Sequence, residues 1–364
     1  MQPENIFRLH FIYKEKANMT TIYDVAKHAG VSPKTVSRVL NQDKSVKDST
    51  RERVERSMNE LGYIPSSAAR TLRSHRSGLI GVIMGVTTDN IEAADIQGGL
   101  PDIFLTKGAH MVAEQTGKTL LVLHCGNNPN RLADAIRRFQ QYRAEGIVCV
   151  SEFHQKIALP FKPDCPVVLL NCFDDDNTPA VLPDDESNQR RLTEQLIAHG
   201  HKRIAYLTPP NHIAATPLRL AGYRAALQQA QLSTDENLIA TGYTTRHNSI
   251  DDLWQALHHV LQQPERPSVI CCGNDEMAMR VYGMLRTEGI KVPEEISVAG
   301  FDDHKQIAET LYPALTTVEL PYTEMGKQAI EILLQQIEQK TQPENAHEWV
   351  EGKVIWRDSV LKAA

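Results

Sequence analysis

Two sets of residues in this 364-residue chain have the types and spacing to do chemistry. The first follows short apolar runs. Gly273-Asn274-Asp275 comes after SVICC, Phe301-Asp302-Asp303 after ISVAG, and Arg219 in a segment after RIAYL; Pro183-Asp184-Asp185 precedes a change in pattern. In parallel sheets ligands sit beyond the carboxyl ends of strands, where a guanidinium, an amide and carboxylates can grip hydroxyl groups from several sides. Taken singly, Asn274 also reads as a helix N-cap and Asp302-Asp303 as a turn; their convergence favours a pocket. The second set lies in VSPKTVSRVLN, Val31–Asn41. Ser32 reads as N-cap and Pro33 as the first helical residue. Val36, Val39 and Leu40 fall on one stripe with Val31, and Lys34, Ser37, Arg38 and Asn41 on the other. Arg can read a guanine edge and Asn an adenine edge, and the helix start near Thr35 can face a phosphate. The competing reading of that stripe is an ordinary solvated face.

Enzyme chemistry has little support. Asp302 and Asp303 are adjacent, so they are not the facing carboxylates of a glycosidase. His199 and His201 in AHGHK read as a helix end and strand start, without a second cluster at metal-ligand spacing. G-x-S-x-G, P-loop and G-x-G-x-x-G patterns are absent. No cofactor is implied.

These residues require elements to carry them. Three short helical patterns fill the head: Ile22–Ala29 capped by Thr20 or Thr21, Ser32–Asn41, and about Ser49 (as cap) to Leu61. Two helices joined by a turn containing Gly30, with a third in support, describe a helix-turn-helix. SSAARTLRSHRSG, Ser66–Gly78, reads as a basic linker. It also has two potential helical turns with Leu72 free to act as an apolar wedge in a DNA groove. From Leu79 onward, strand-like runs (79–84, 119–124, 146–150, 166–170, 203–207, 268–272, 296–301) alternate with helical stretches. That order predicts an α/β body of parallel sheets flanked by helices, in two subdomains split near Asp185–Gln189 or His201.

Charge supports the division. Net charge is −6, yet Met19–Arg76 carries 11 Lys and Arg against 6 Asp and Glu, leaving −12 on residues 77–364. A basic head on an acidic body points to a nucleic-acid module fused to another function. The six cysteines form no CxxC and mostly lie in apolar runs, so reduced buried thiols and a cytoplasmic location are expected. No membrane span or export signal is read. Residues 1–18 form a loose extension, with Met19 as an alternative start.

The residues that carry these readings resemble one family. TTIYDVAKHAGVSPKTVSRVLN, STRERVERSMNELGYIPSSAARTLR, AHGHKRIAYLTPP, LRLAGYRAAL and GNDEMAMRVYGMLRTEGIKVPEEISVAGFDD are similar to the lac repressor/galactose repressor family of bacterial transcription regulators. The resemblance implies a helix-turn-helix head (19–65), a hinge helix (66–78) and a body like periplasmic sugar-binding proteins (79–364). It implies base reading by Pro33, Lys34 and Arg38, a hinge wedge at Leu72, and a palindromic operator bound by a homodimer. Thr21, Tyr23, Ser32, Thr35, Ser37, Asn41, Tyr63, Ala69 and Arg73 complete the expected DNA face. Arg219, Asn274, Asp302 and Tyr243 would hold a sugar or sugar phosphate, and the implied function is a repressor of carbohydrate genes. A stand-alone periplasmic-type sugar receptor is the alternative. The segment GVTTDNIEAADIQGGLPDIFLT departs from the family pattern, and the leucine-heptad tail that tetramerises the lac repressor is not seen.

Overall fold

The computed structural model describes residues 20–64, 76–87, 102–126, 128–211, 213–243, 250–339 and 345–363. The expected extension (1–18) and most of the hinge segment, with Ala69, Leu72 and Arg73, lie outside them. The chain divides into two compact units between Ser77 and Gly78.

The first unit is helical. In α1 (Ile22–Ala29) the cap is Thr21: its N–H and hydroxyl donate to Asp24 Oδ2 at 2.8 and 2.6 Å, and Asp24 N–H donates to Thr21 Oγ1. This reciprocal cap satisfies donors that the first turn leaves open. Gly30 ends the helix at φ 62°, a left-handed conformation that costs glycine nothing. In α2 (Pro33–Leu40) Ser32 Oγ accepts from Thr35 N–H at 3.2 Å. The third helix, α3 (Asp48–Glu60), begins earlier than expected. Lys47 takes the cap position without a side-chain bond, so Ser49 falls inside the first turn. Val25, Ala26, Ala29, Val36, Val39 and Val54 form the core that holds all three together.

The body contains two parallel sheets. The six-stranded sheet has the order β11-β5-β4-β3-β1-β2, from β1 (Leu79–Met84), β2 (Thr119–His124), β3 (Gly146–Lys156), β4 (Val167–Phe173), β5 (Ala180–Pro183) and β11 (His347–Val350). The four-stranded sheet has the order β7-β6-β8-β9, from β6 (Ile204–Thr208), β7 (Ile239–Thr241), β8 (Val269–Cys272) and β9 (Ser297–Ala299). The strands named from apolar runs are all present, but β5, β7 and β11 are short or amphipathic and gave no such run. β2 is an edge strand with three exposed residues, so it is not covered on both faces.

Helices α4 (Asp102–Gln115), α5 (Pro129–Gln141), α6 (Asp185–Ala198), α7 (Ala215–Gln229), α8 (Ile250–Leu261), α9 (Asp275–Thr287), α10 (Lys305–Ala308) and α11 (Tyr322–Gln339) join the strands. The end of the segment read as a rearranged loop, Asp102–Thr106, is the first turn of α4.

The split falls at Asp184-Asp185: β5 ends in one sheet, and the next strand, β6, belongs to the other. The chain then returns after β10 (Thr317–Val318), because α11 packs on α4, β3, β4 and β5. It crosses again before β12 (Val354–Ile355), which pairs antiparallel with β10. These crossings are tied together. Asp184 N–H donates to Val350 O, Glu319 N–H to Lys353 O, and Gly352 N–H to Asn188 Oδ1.

Candidate functional site

On α2, Lys34 and Arg38 are exposed, with Ser32 and Asn41 beside them; Pro33 and Thr35 are half-buried. Thr21 is exposed and Tyr23 is 70 % exposed, whereas Tyr63 packs partly on the head core. Ser37 departs from expectation. It is 9 % exposed, grouped with Val36 and Val39 rather than with Arg38. The buried arc of a helix in a small three-helix head spans more than the i, i+3, i+4 positions, and a short Ser at its margin is covered. Arg38 Nε lies 3.8 Å from Asp43 Oδ2, with both side chains well exposed. Such a pair holds the guanidinium weakly and leaves it free to exchange partners.

In the body, several predicted residues meet. Arg219 is brought there by a close helix contact: a Cβ on Gly222, one turn along α7, would lie 2.1 Å from Glu186 O on α6. Only glycine lets the two backbones approach so closely. Arg219 Nε donates to Asp185 Oδ1 at 2.6 Å and Nη1 to Gly273 O at 2.8 Å. Its guanidinium lies 3.6 Å from the ring centroid of Phe301. The second Asp185 oxygen meets His154 Nδ1 at 2.7 Å. Asp185, His154 and Arg219 are all buried. The bridge joins β3 of one sheet to α6 and α7 beside the other.

Asn274 caps α9, accepting from Met277 N–H at 2.7 Å, which leaves its amide N–H groups without a partner among the described residues. The cap reading and the pocket reading are therefore compatible. Asp302 has φ 123°, a backbone state rarely adopted by side-chain-bearing residues. It is pinned there by bonds from Asp302 N–H to Val318 O and from Leu320 N–H to Asp302 O, at one of the sheet crossings. Burial, then the charge of Asp275, pushes the Asp302 carboxyl well above the carboxylate range against the pull of Arg219. Asp275 is fully buried and accepts from Thr317 Oγ1 at 2.5 Å and from His304 N–H at 2.7 Å. Burial raises its carboxyl to about 7. Asp303 turns away to Arg357, at 2.7 Å.

Tyr243 stands differently. It is 2 % exposed, in the core beneath α8 and α9, and its hydroxyl accepts from Arg280 Nη1, while Arg280 Nη2 pairs with Glu276. Among the described residues its side-chain bond is to Arg280, not to Arg219, Asn274 or Asp302. Residue-by-residue reading missed His154 and Tyr322. Tyr322, at the start of α11, feels the charges of Asp302 and Arg219, and burial raises its hydroxyl strongly. The available signal for His154 was position: it follows the apolar run of β3, whose polar continuation hid the longer strand.

His199 and His201 are structural. His201 bonds Ser268 Oγ and Leu361 O, and His199 stacks on Trp356 at 4.0 Å. Among the described residues no three His, Cys, Asp or Glu are grouped to hold a metal ion. The cysteines are free thiols, buried except for Cys165. No described helix is long and apolar enough to cross a membrane.

A three-helix head with a basic reading helix, joined to a two-sheet body with a polar cluster at its strand ends, defines the class of effector-controlled transcription regulators. Residues 21–66 match the family model described as bacterial regulatory proteins, lacI family, and residues 193–360 match the periplasmic binding protein-like domain. The chain is 32% identical to the HTH-type transcriptional repressor PurR of Vibrio atlanticus over 346 residues, covering 94% of this chain and 99% of that one. It is also 32% identical to the ribose operon repressor of Escherichia coli K12 over 327 residues, covering 89% and 94%. Among solved structures it is similar to the lac repressor dimer bound to operator and the anti-inducer ONPF (TM-score 0.73, 27% identity, 94% and 99% covered). It is likewise similar to the CelR–cellobiose complex (TM-score 0.64, 26% identity, 93% and 99% covered). The chain belongs to the lacI family: it is a DNA-binding transcriptional regulator of the repressor type with an effector-binding body, and not an enzyme.

Proposed function

We propose that this regulator represses carbohydrate-utilisation genes and answers to a neutral, polyhydroxylated effector of the sugar class, held between the two sheets by Arg219, Asn274 and Asp302. The observation that carries the reading is the state of Arg219. Its charge is already balanced by Asp185, while Asp275, Asp302 and Glu276 add carboxyl groups nearby. Carboxyl groups suit hydroxyls, which donate as well as accept, and the Arg219 cation is already paired, so it leaves no free positive charge for a phosphate. This favours a free sugar over the sugar phosphate also considered. The similarity to a ribose operon repressor and to a cellobiose complex points the same way.

In this reading the head (19–65) reads a palindromic operator in the cytoplasm, segment 66–78 supplies the hinge with Leu72 as its wedge, and the working unit is a homodimer. Exposed Ile103, Phe104 and Met111 on α4 and Val122 on edge strand β2 offer an apolar surface for a second copy. Effector binding favours one closure of the two sheets and so shifts operator affinity. The head argues against a stand-alone receptor.

Calorimetry of the purified protein with neutral mono- and disaccharides and their phosphate esters, paired with operator gel shifts, tests the reading. A neutral sugar should bind, change operator affinity, and lose binding in Arg219→Met. A phosphate ester binding more tightly than its parent sugar would refute the charge argument. Leu72→Ala should weaken operator binding while sparing non-specific DNA.

A further inference from the structure

A second cavity, of about 450 Å³, lies in the six-stranded half, away from the strand ends where Arg219 sits. Its walls are the β3–β4 connection, with Phe161, Cys165 and Val167, and the β4–β5 connection, with Thr178 and Pro179; Gln336 of α11 completes it. Val167 opens β4 and Pro179 precedes β5, so the cavity is at the amino ends of these strands. Its volume is in the range of small-molecule sites.

The walls are built before any ligand arrives. Asp174 holds the β4–β5 connection with bonds from Asp176 N–H, Thr178 N–H and Thr178 Oγ1 at 3.2, 3.0 and 2.6 Å. The opposite connection contains Pro160, Pro163 and Pro166, which restrict its backbone. The Arg137 guanidinium lies 5.5 Å from the Phe161 ring centroid and braces that side from α5.

One group in this frame is unsatisfied. Gln336 is 9 % exposed, and its Nε2 is buried without an acceptor among the described residues. A buried amide donor without a partner is costly, and an acceptor oxygen delivered from outside removes that cost. Leu159, Phe161, Val167 and Pro179 give the lining apolar side chains and Asn177 and Thr178 polar ones, while the charges, Lys162 and Asp176, sit on exposed chain and oppose each other in sign.

We propose that this cavity is a second ligand site, taking an uncharged organic molecule that has apolar surface and a carbonyl oxygen that accepts from Gln336 Nε2. Its ligand differs in class from the polyol expected at Arg219. The two sites share α11. Tyr322 begins that helix beside Asp302, and Gln336 is fourteen residues along, about 21 Å at helical rise. A ligand at one end bears on a helix whose other end borders the effector cluster.

Cys165 provides the readout, being the one described cysteine that is not fully buried. The full-length protein is alkylated with N-ethylmaleimide and Cys165 modification is followed by peptide mass spectrometry. Acetanilide and coumarin serve as carbonyl probes, toluene as the probe without an acceptor, and glucose as the polyol. Expected is at least threefold slower alkylation with a carbonyl probe and none with glucose. Gln336→Leu should weaken carbonyl protection about tenfold while leaving toluene unchanged. The double variant Asp185→Leu/Arg219→Met, which removes the clamp without leaving a buried charge, should leave protection intact, which separates this site from the effector reading. Lack of protection by acetanilide and coumarin, or carbonyl protection that Gln336→Leu leaves unaltered, overturns the proposal.

Discussion

Asp185 and Arg219 form a buried ion pair at 2.6 Å, and its second carboxylate oxygen is held by His154 from the other sheet. The pair satisfies two needs at once. It neutralises a guanidinium that the body buries, and it ties β3 to α6 across the boundary between the two sheets.

Removing one member should therefore cost far more than removing both. Asp185→Asn leaves Arg219 buried without its counter-charge and should lower body stability by about 3–5 kcal/mol in urea unfolding. The double variant Asp185→Leu/Arg219→Met should recover much of that loss. Equal destabilisation of single and double variants would show that packing, not charge, dominates.

The acidic cluster sets a pH trend. Asp275 is raised from 3.8 to about 7 by burial, and Asp302 is raised as well. A carboxyl that keeps its proton more firmly when folded favours the folded state at low pH. That contribution is complete below the ordinary value of 3.8 and is lost as pH rises through about 7. Asp302→Asn removes one of these carboxyls and its repulsion of Asp275. Its melting temperature should gain on wild type as pH rises from about 5 to about 8. A difference independent of pH would contradict the raised carboxyls.

The exposed edge of α2 should carry base reading. Arg38→Ala should cost about 1–3 kcal/mol on the operator and relax selectivity at one base pair, measured by competition gel shift against single-base variants. Uniform loss on all sequences would reduce Arg38 to a phosphate contact.

Ser37 offers the opposite test. Because it is nearly buried in the head, Ser37→Ala should alter operator affinity less than Lys34→Ala. Lys34→Ala should also reduce the slope of log affinity against log salt by about 1. A larger effect at Ser37 would mean that the helix presents a different face to DNA.

α1, α2 and the long strands of the body were readable because their causes are local. Thr21 and Asp24 cap within four residues, Gly30 supplies the left-handed turn, and each long buried strand begins on a continuous apolar run. Short β5, β7 and β11 escaped because their partners, not their composition, make them strands: β11 joins β5 from more than 150 residues away. α4 was hidden by the unusual segment before it.

Residue type and position determined that Asn274 and Asp302 would follow strand ends, and that Lys34 and Arg38 would face outward. Only tertiary structure decided that Arg219 arrives already paired, that His154 joins it from the other sheet, and that Ser37 is covered. It also decided that Tyr243 is buried and bonded to Arg280 rather than set on an open face. The physical reason is range. Helix caps, turns and apolar periodicity act over a few residues, whereas charge balance and burial depend on groups that meet only when three separate crossings bring the two sheets together.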